Sequence, residues 1–184
     1  MLNAIGSPGE VLVNVPTTTG EALSMFDSGE PVEPDYLIGM WRGAEIPTGH
    51  PLDGILAASG WWGKEFIDSE TVHPLLFRSR DGMRAWAMNP ILVPVQSALK
   101  VRVPSFAYPV LRPTISALRP VLQTRRPRAR LRSVTYRGKS TAAMVYDQQP
   151  VIDVFRRVAE DVVLGVMDLR GSAQPYFFVL QRHR

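Results

Sequence analysis

Apolar and polar positions change their spacing several times along the chain, and each change marks an element. The alternation Val11-Leu12-Val13-Asn14-Val15 predicts a short strand or a docked tail. Thr18-Thr19-Gly20-Glu21 then has capping-box spacing, in which the Thr18 hydroxyl accepts from a first-turn amide while Glu21 reaches back. It opens a helix over 19–28 that presents Ala22, Leu23, Met25 and Phe26 and stops at Gly29. Pro31 and Pro34 hold the following link extended. From Tyr36 the period becomes two, and Tyr36 to Gly43 predicts a first long strand. Pro47 to Pro51 predicts a turn. Pro51 to Leu56 predicts a short helix that Gly60 can end, before Trp61 to Ile67 resumes extended structure.

Three hairpins follow from turn chemistry. His73–Ser79 and Met83–Met88 flank Arg80-Asp81-Gly82, and Asp-Gly tolerates the positive φ that tight turns demand. Ala129–Tyr136 and Ser140–Tyr146 turn at Arg137-Gly138-Lys139, and Asp161–Asp168 and Gln174–Arg182 turn around Gly171. Between the last two, apolar residues at 151, 154, 155 and 158 fit one face of a short helix, with strand as the alternative. Segment 90–128 differs. Its seven prolines forbid long central strands and long straight helices, yet apolar residues dominate between them, which predicts a lid and not a loose linker. Residues 114–123 can form one helix there.

The count is seven or eight strands joined largely by hairpins. Such a sheet removes its exposed edges by closing on itself, and eight strands leave room for one small ligand. The expected fold is mainly β: a closed antiparallel β-barrel with a few short helices and a proline-rich insert.

Composition narrows the setting. The chain has 184 residues, 45% hydrophobic and 21% charged, which fits a single domain over 1–184. Its parts would be an N-terminal arm and helix (1–34), a first half (35–89), the insert or lid (90–128) and a closing half (129–184). Cysteine is absent, so no disulfide framework exists, and no apolar run reaches the ~18 residues of a membrane span. The start lacks the basic and long apolar regions of a signal peptide, so the expected compartment is cytoplasmic. Charge is unevenly spread. Between Asp81 and Asp147 there is no acidic residue, while twelve arginines and lysines fall there. A one-sign stretch creates a positive field that attracts phosphate-bearing partners, an anionic membrane surface among them. Nucleic acid ranks low as a partner, because no RNA-binding motif interleaves this stretch with aromatics.

Two blocks resemble known families. Leu37-Ile38-Gly39-Met40-Trp41-Arg42-Gly43, Thr48 to Gly54 and Trp62-Gly63-Lys64 resemble the bacterial GXWXG domain family. Arg137-Gly138-Lys139, Met144 to Asp147, Phe155-Arg156-Arg157, Leu164 to Asp168 and Phe177 to Arg182 resemble the uncharacterised DUF4334 domain that commonly follows it. The resemblance implies a calycin-like barrel, similar to lipocalins and fatty-acid-binding proteins. Those barrels place Gly-X-Trp at the start of the first strand and an arginine near the end of the last. Gly39, Trp41 and Arg182 occupy those places, so they are expected to close the barrel, with the guanidinium lying on the indole.

Candidate chemistry is sparse. Three separated histidines without cysteine make no zinc site, and no nucleophile elbow or phosphate loop is present, so neither metal nor cofactor is expected. The first functional reading is non-catalytic binding of a hydrophobic, anionic small molecule, such as a fatty acid or lipid. Its expected lining is Trp62, Lys64, Phe66, His73, Arg132, Tyr136, Met144, Tyr146 and Phe178, with Lys64 or Arg132 meeting the head group. A second reading is an enzyme on an acyl or isoprenoid substrate, using His50 or His73 with Asp53 as an acid–base pair. A third is haem binding, because the calycin-like nitrobindins also begin with a Gly-X-Trp-X-Gly strand.

Overall fold

Strand pairing in the computed structural model runs in a ring. The described residues are 15–79, 84–100 and 104–184, so the alternation at 11–14 and the turn Arg80-Asp81-Gly82 lie outside them. In chain order the elements are α1 (Thr19–Ser28), β1 (Glu30–Pro31), β2 (Gly39–Ile46), α2 (Ile55–Ser59), β3 (Trp61–Phe66), β4 (Val72–Arg78) and β5 (Ala85–Ala87). Then come α3 (Val95–Lys100), α4 (Tyr108–Ala117), α5 (Arg119–Leu122), β6 (Ala129–Tyr136), β7 (Lys139–Tyr146), β8 (Val151–Ala159), β9 (Val162–Leu169) and β10 (Tyr176–Arg182). The pairing order β8-β7-β6-β4-β3-β2-β10-β9 closes on itself through β9–β8, and every pair is antiparallel. The protein is a closed eight-stranded β-barrel, with β1 and β5 as short strands outside the ring.

The turns form where the sequence places permissive residues. Tyr136 pairs with Lys139 across a two-residue loop, in which Arg137 and Gly138 both take positive φ, 49° and 78°. That is the backbone a tight hairpin demands. The capping box at α1 is complete: Thr18 Oγ1 accepts from the Glu21 amide, and Glu21 Oε2 accepts from the Thr18 amide. Phe26 and Ala22 of this helix cover the outer faces of β8, β9 and β10 through Val154, Val162, Leu164, Val166, Phe177 and Val179.

That cover explains one correction. Residues 150–158 form strand β8, paired along its length with β9, and not the helix that their spacing suggested. Val151 and Phe155 face the lumen, while Val154 faces α1. Both faces of the strand are buried, so its apolar positions lose the period of two and mimic a helix. Three boundaries also shift. Pro34–Leu37 is a 3-10 turn with proline near its start, so the first barrel strand begins at Gly39. Gly54, at φ 85°, interrupts the chain after Pro51, so α2 starts at Ile55. The single helix expected at 114–123 is two, α4 and α5, joined at Leu118 just ahead of Pro120.

The lumen is filled at one end only. Trp41, Phe66, Phe155, Leu131, Met144 and Leu180 are fully buried there, and Phe66 meets Phe155 edge-on at 5.8 Å. Arg182 seals this end. Its guanidinium lies 4.3 Å from the Trp41 ring and 5.1 Å from the Tyr36 ring. It donates to the carbonyls of Ile38 (2.8 Å) and Tyr36 (2.5 Å) and pairs with Asp161 at 2.9 Å. Trp41 Nε1 donates to the Leu37 carbonyl at 2.7 Å.

Candidate functional site

The opposite half of the lumen holds a cavity of about 210 Å³. Its walls are the inward side chains Trp61 of β3, Leu75 and Phe77 of β4, Tyr146 of β7, Met167 of β9, and Tyr176 and Phe178 of β10. Leu56 of α2, Val95 and Ala98 of α3, and Leu111 and Ile115 of α4 close over it. The proline-rich insert is therefore the cavity's cover. Short ties hold it there. Tyr108 Oη donates to the Asp53 carbonyl at 2.9 Å, and Gln149 Nε2 donates to the carbonyls of Pro90 (2.8 Å) and Val93 (3.2 Å).

Two glycines make room for the aromatic wall. A Cβ on Gly43 would stand 2.1 Å from the Trp61 ring, and one on Gly165 would stand 2.3 Å from the Phe178 ring. Each ring occupies the space that a side chain at the glycine would need. The pentapeptide Gly39 to Gly43 thus serves both ends of the barrel. Gly39, at φ 124°, lies beneath Arg182 at the sealed end, Trp41 is stacked there, and Gly43 seats a cavity ring.

Charge enters this apolar space at one level. Lys64 Nζ pairs with Asp153 Oδ2 at 2.9 Å, with the two side chains only 3% and 1% exposed. β3 and β8 stand four strands apart in either direction round the ring, so the pair spans the lumen as a crossbar. It sits one inward layer above Phe66 and Phe155. Lys64 also donates to the Pro74 carbonyl at 3.2 Å and lies 4.9 Å from the Phe178 ring. Asp153 Oδ1 has no hydrogen-bond partner among the described residues. Burial pushes the Asp153 carboxyl above its usual range, against the pull of Lys64. Burial likewise holds the Tyr146 and Tyr176 hydroxyls well above theirs.

Of the nine side chains expected to line a cavity, Lys64, Tyr146 and Phe178 do. Phe66 belongs to the packed layer below, and Met144 is fully buried opposite Asp153 on the neighbouring strand without lining the cavity. Trp62 points outward, against Leu76 and Ala87, with its ring 5.0 Å from Arg78 and 5.1 Å from His183. Its neighbour Trp61 takes the inward place, because irregularities in the β3–β4 register bring both Trp61 and Lys64 inside despite their odd spacing. Tyr136 packs outside the ring on Phe26, Arg132 is on the surface paired with Glu70, and His73 does not line the cavity. Trp61, Asp153, Met167 and Tyr176 also line the site, although the sequence does not single them out as ligand contacts.

The histidine–aspartate pair is arranged for a different job. Asp53 Oδ2 accepts from the amides of Thr48, Gly49 and His50 at 2.8–3.0 Å, which fixes the turn. His50 is 1% exposed. Its Nδ1 accepts from the Leu52 amide, so the proton sits on Nε2, which donates to Ser172 Oγ at 3.1 Å. Burial lowers the His50 pKa, with Asp53 opposing, so the ring is held neutral. Neither His50 nor Asp53 lines the cavity, and the acid–base geometry expected of them is not formed. No histidine of the described residues lines it either, so the histidine ligand common in haem sites is not offered there.

The comparisons agree with this architecture. Residues 24–82 match the family described as "GXWXG protein", and residues 127–182 match "Domain of unknown function (DUF4334)". A solved structure, a protein from Thermomonospora curvata, is similar with a TM-score of 0.66 and 34% identity, covering 90% of this chain and 87% of that one. No curated protein matches the chain.

Proposed function

The chain belongs to the family of GXWXG proteins, and from that footing we propose that it binds one hydrophobic small molecule in the barrel cavity without transforming it. The observation that carries the reading is the half-filled lumen. A sealed, densely packed end gives way to an apolar chamber under a helical cover, and stability alone favours filling such a space with side chains. At about 210 Å³ it exceeds the roughly 150 Å³ cavity that stays dry and accepts a benzene. A medium-length alkyl chain or a small isoprenoid skeleton suits that space. Binding without chemistry fits the lining, where the cationic Lys64 is committed to Asp153 and no residue is placed as an activated nucleophile.

Titration with the apolar dye N-phenyl-1-naphthylamine tests this. The expected result is saturable one-to-one binding that quenches Trp61, lost when Met167→Trp fills the chamber. Undiminished binding in that variant, or none in the native protein, overturns the proposal.

A further inference from the structure

The crossbar specifies what the ligand carries at its inner end, given the cavity-binding reading above. Lys64 and Asp153 together are electrically neutral, and both are removed from water. An anionic head group would leave one negative charge in excess at the base of an apolar chamber, and an amine would leave one positive charge. Phosphate would be worse. An unsubstituted hydrocarbon would add no charge, but it would leave the free oxygen Asp153 Oδ1 without a donor. A hydroxyl group meets both conditions. It is neutral, it can donate to Asp153, and its lone pairs can accept from the Lys64 ammonium, whose three N–H groups meet two oxygen acceptors among the described residues, Asp153 Oδ2 and the Pro74 carbonyl. We propose that the ligand is a hydrophobic alcohol, bound hydroxyl-first against the Lys64–Asp153 pair. It takes the place of the anionic head group that the sequence places against Lys64 or Arg132.

Competition against the same dye separates the possibilities, using 1-octanol, octyl methyl ether and octanoate at neutral pH. The alcohol should displace the dye at least about tenfold more effectively than either of the others. Either single substitution would strand a buried charge, so the variant of choice is Lys64→Met/Asp153→Leu, which exchanges the pair for apolar side chains. With the dye affinity of this variant measured first and used as its own reference, the alcohol should lose its advantage over the ether. Equal displacement by alcohol and ether, stronger displacement by octanoate, or a preference that survives in the double variant would each overturn the proposal while leaving cavity binding intact. Failure of the dye itself to bind would remove the cavity reading and this one with it.

A second inference rests on the outside of the cover. Eight large hydrophobic residues are exposed among the described residues, and six of them, Ile91, Leu92, Phe106, Val110, Leu118 and Val121, fall within the insert. Phe106 is 83% exposed. Leu111 and Ile115 of α4 turn toward the cavity, whereas Val110 on the same helix is exposed. The exposed arginines Arg112, Arg125 and Arg126 belong to the same stretch, which has no acidic residue. Apolar side chains interspersed with cations match the headgroup region of an anionic bilayer, where an acidic protein partner would answer only the charge. We infer that the cover rests on anionic membrane surfaces, with the cavity beneath it. Co-sedimentation should show binding to vesicles of phosphatidylcholine with phosphatidylglycerol, and little to phosphatidylcholine alone. Phe106→Ser/Val110→Ser should weaken it about tenfold, with dye binding retained. No binding, equal binding to both vesicles, or an unaffected variant overturns it.

Discussion

The Trp61 indole lies directly on the backbone of Gly43, with no room for a methyl group between them. Gly43→Ala should therefore lift the ring into the chamber. The expected outcome is a loss of about 1–3 kcal/mol in urea denaturation, as for other overpacked cores, and a blue-shifted or quenched Trp61 emission with weaker dye binding. Gly165→Ala should act in the same way through Phe178 on the neighbouring wall.

The crossbar predicts strong non-additivity. Lys64→Met alone leaves the Asp153 carboxylate buried without a counter-charge, and Asp153→Leu alone leaves the ammonium so. Each should cost about 3–5 kcal/mol, while the double substitution should come close to the native stability or exceed it. A double-mutant cycle from denaturant melts checks this.

His50 gives the fold an acid-sensitive element. Its folded-state pKa is lowered by burial below its ordinary 6.5, so between those two values the unfolded chain holds a proton that the folded chain does not. Stability should therefore be fully present above pH 6.5 and fall as the pH drops toward the folded value, with a slope of up to about 1.4 kcal/mol per pH unit. His50→Asn should flatten this part of the profile in thermal melts at a series of pH values.

Arg182 and lysine should not be exchangeable. Arg182→Lys keeps the charge but cannot reach both carbonyls of Tyr36 and Ile38 while stacking on Trp41. A loss of about 1–3 kcal/mol is expected, read by denaturant midpoint, with dye affinity little changed because the cavity lies at the other end.

Much of the ring could be read from residues. Arg137-Gly138 and Gly171 marked their turns, and Gly39, Trp41 and Arg182 meet at the sealed end. The cavity lining was far less legible, because it depends on which face of each strand turns inward. Trp62 and Trp61 differ by one position, and only the irregular β3–β4 register decides between them. Asp153 was hidden for a related reason. With α1 buried on the outside of β8, the strand lacked the polar alternation that would have shown its inner face, and a carboxylate among valines looked like the solvent side of a helix.

The β4–β6 ladder is one residue pair long, Val72 with Ala129, flanked by the bonds from the Arg128 amide to the Val72 carbonyl and from the Leu131 amide to the Ser69 carbonyl, and everything from β5 to α5 leaves and returns through this seam. The cover is thus a parenthesis in the chain: its length and composition can be revised without disturbing a ladder on which the ring depends. If the proposed binding holds, the cover and the crossbar are separable determinants of it, so a transplanted cover should leave the preference set by the Lys64–Asp153 pair in place.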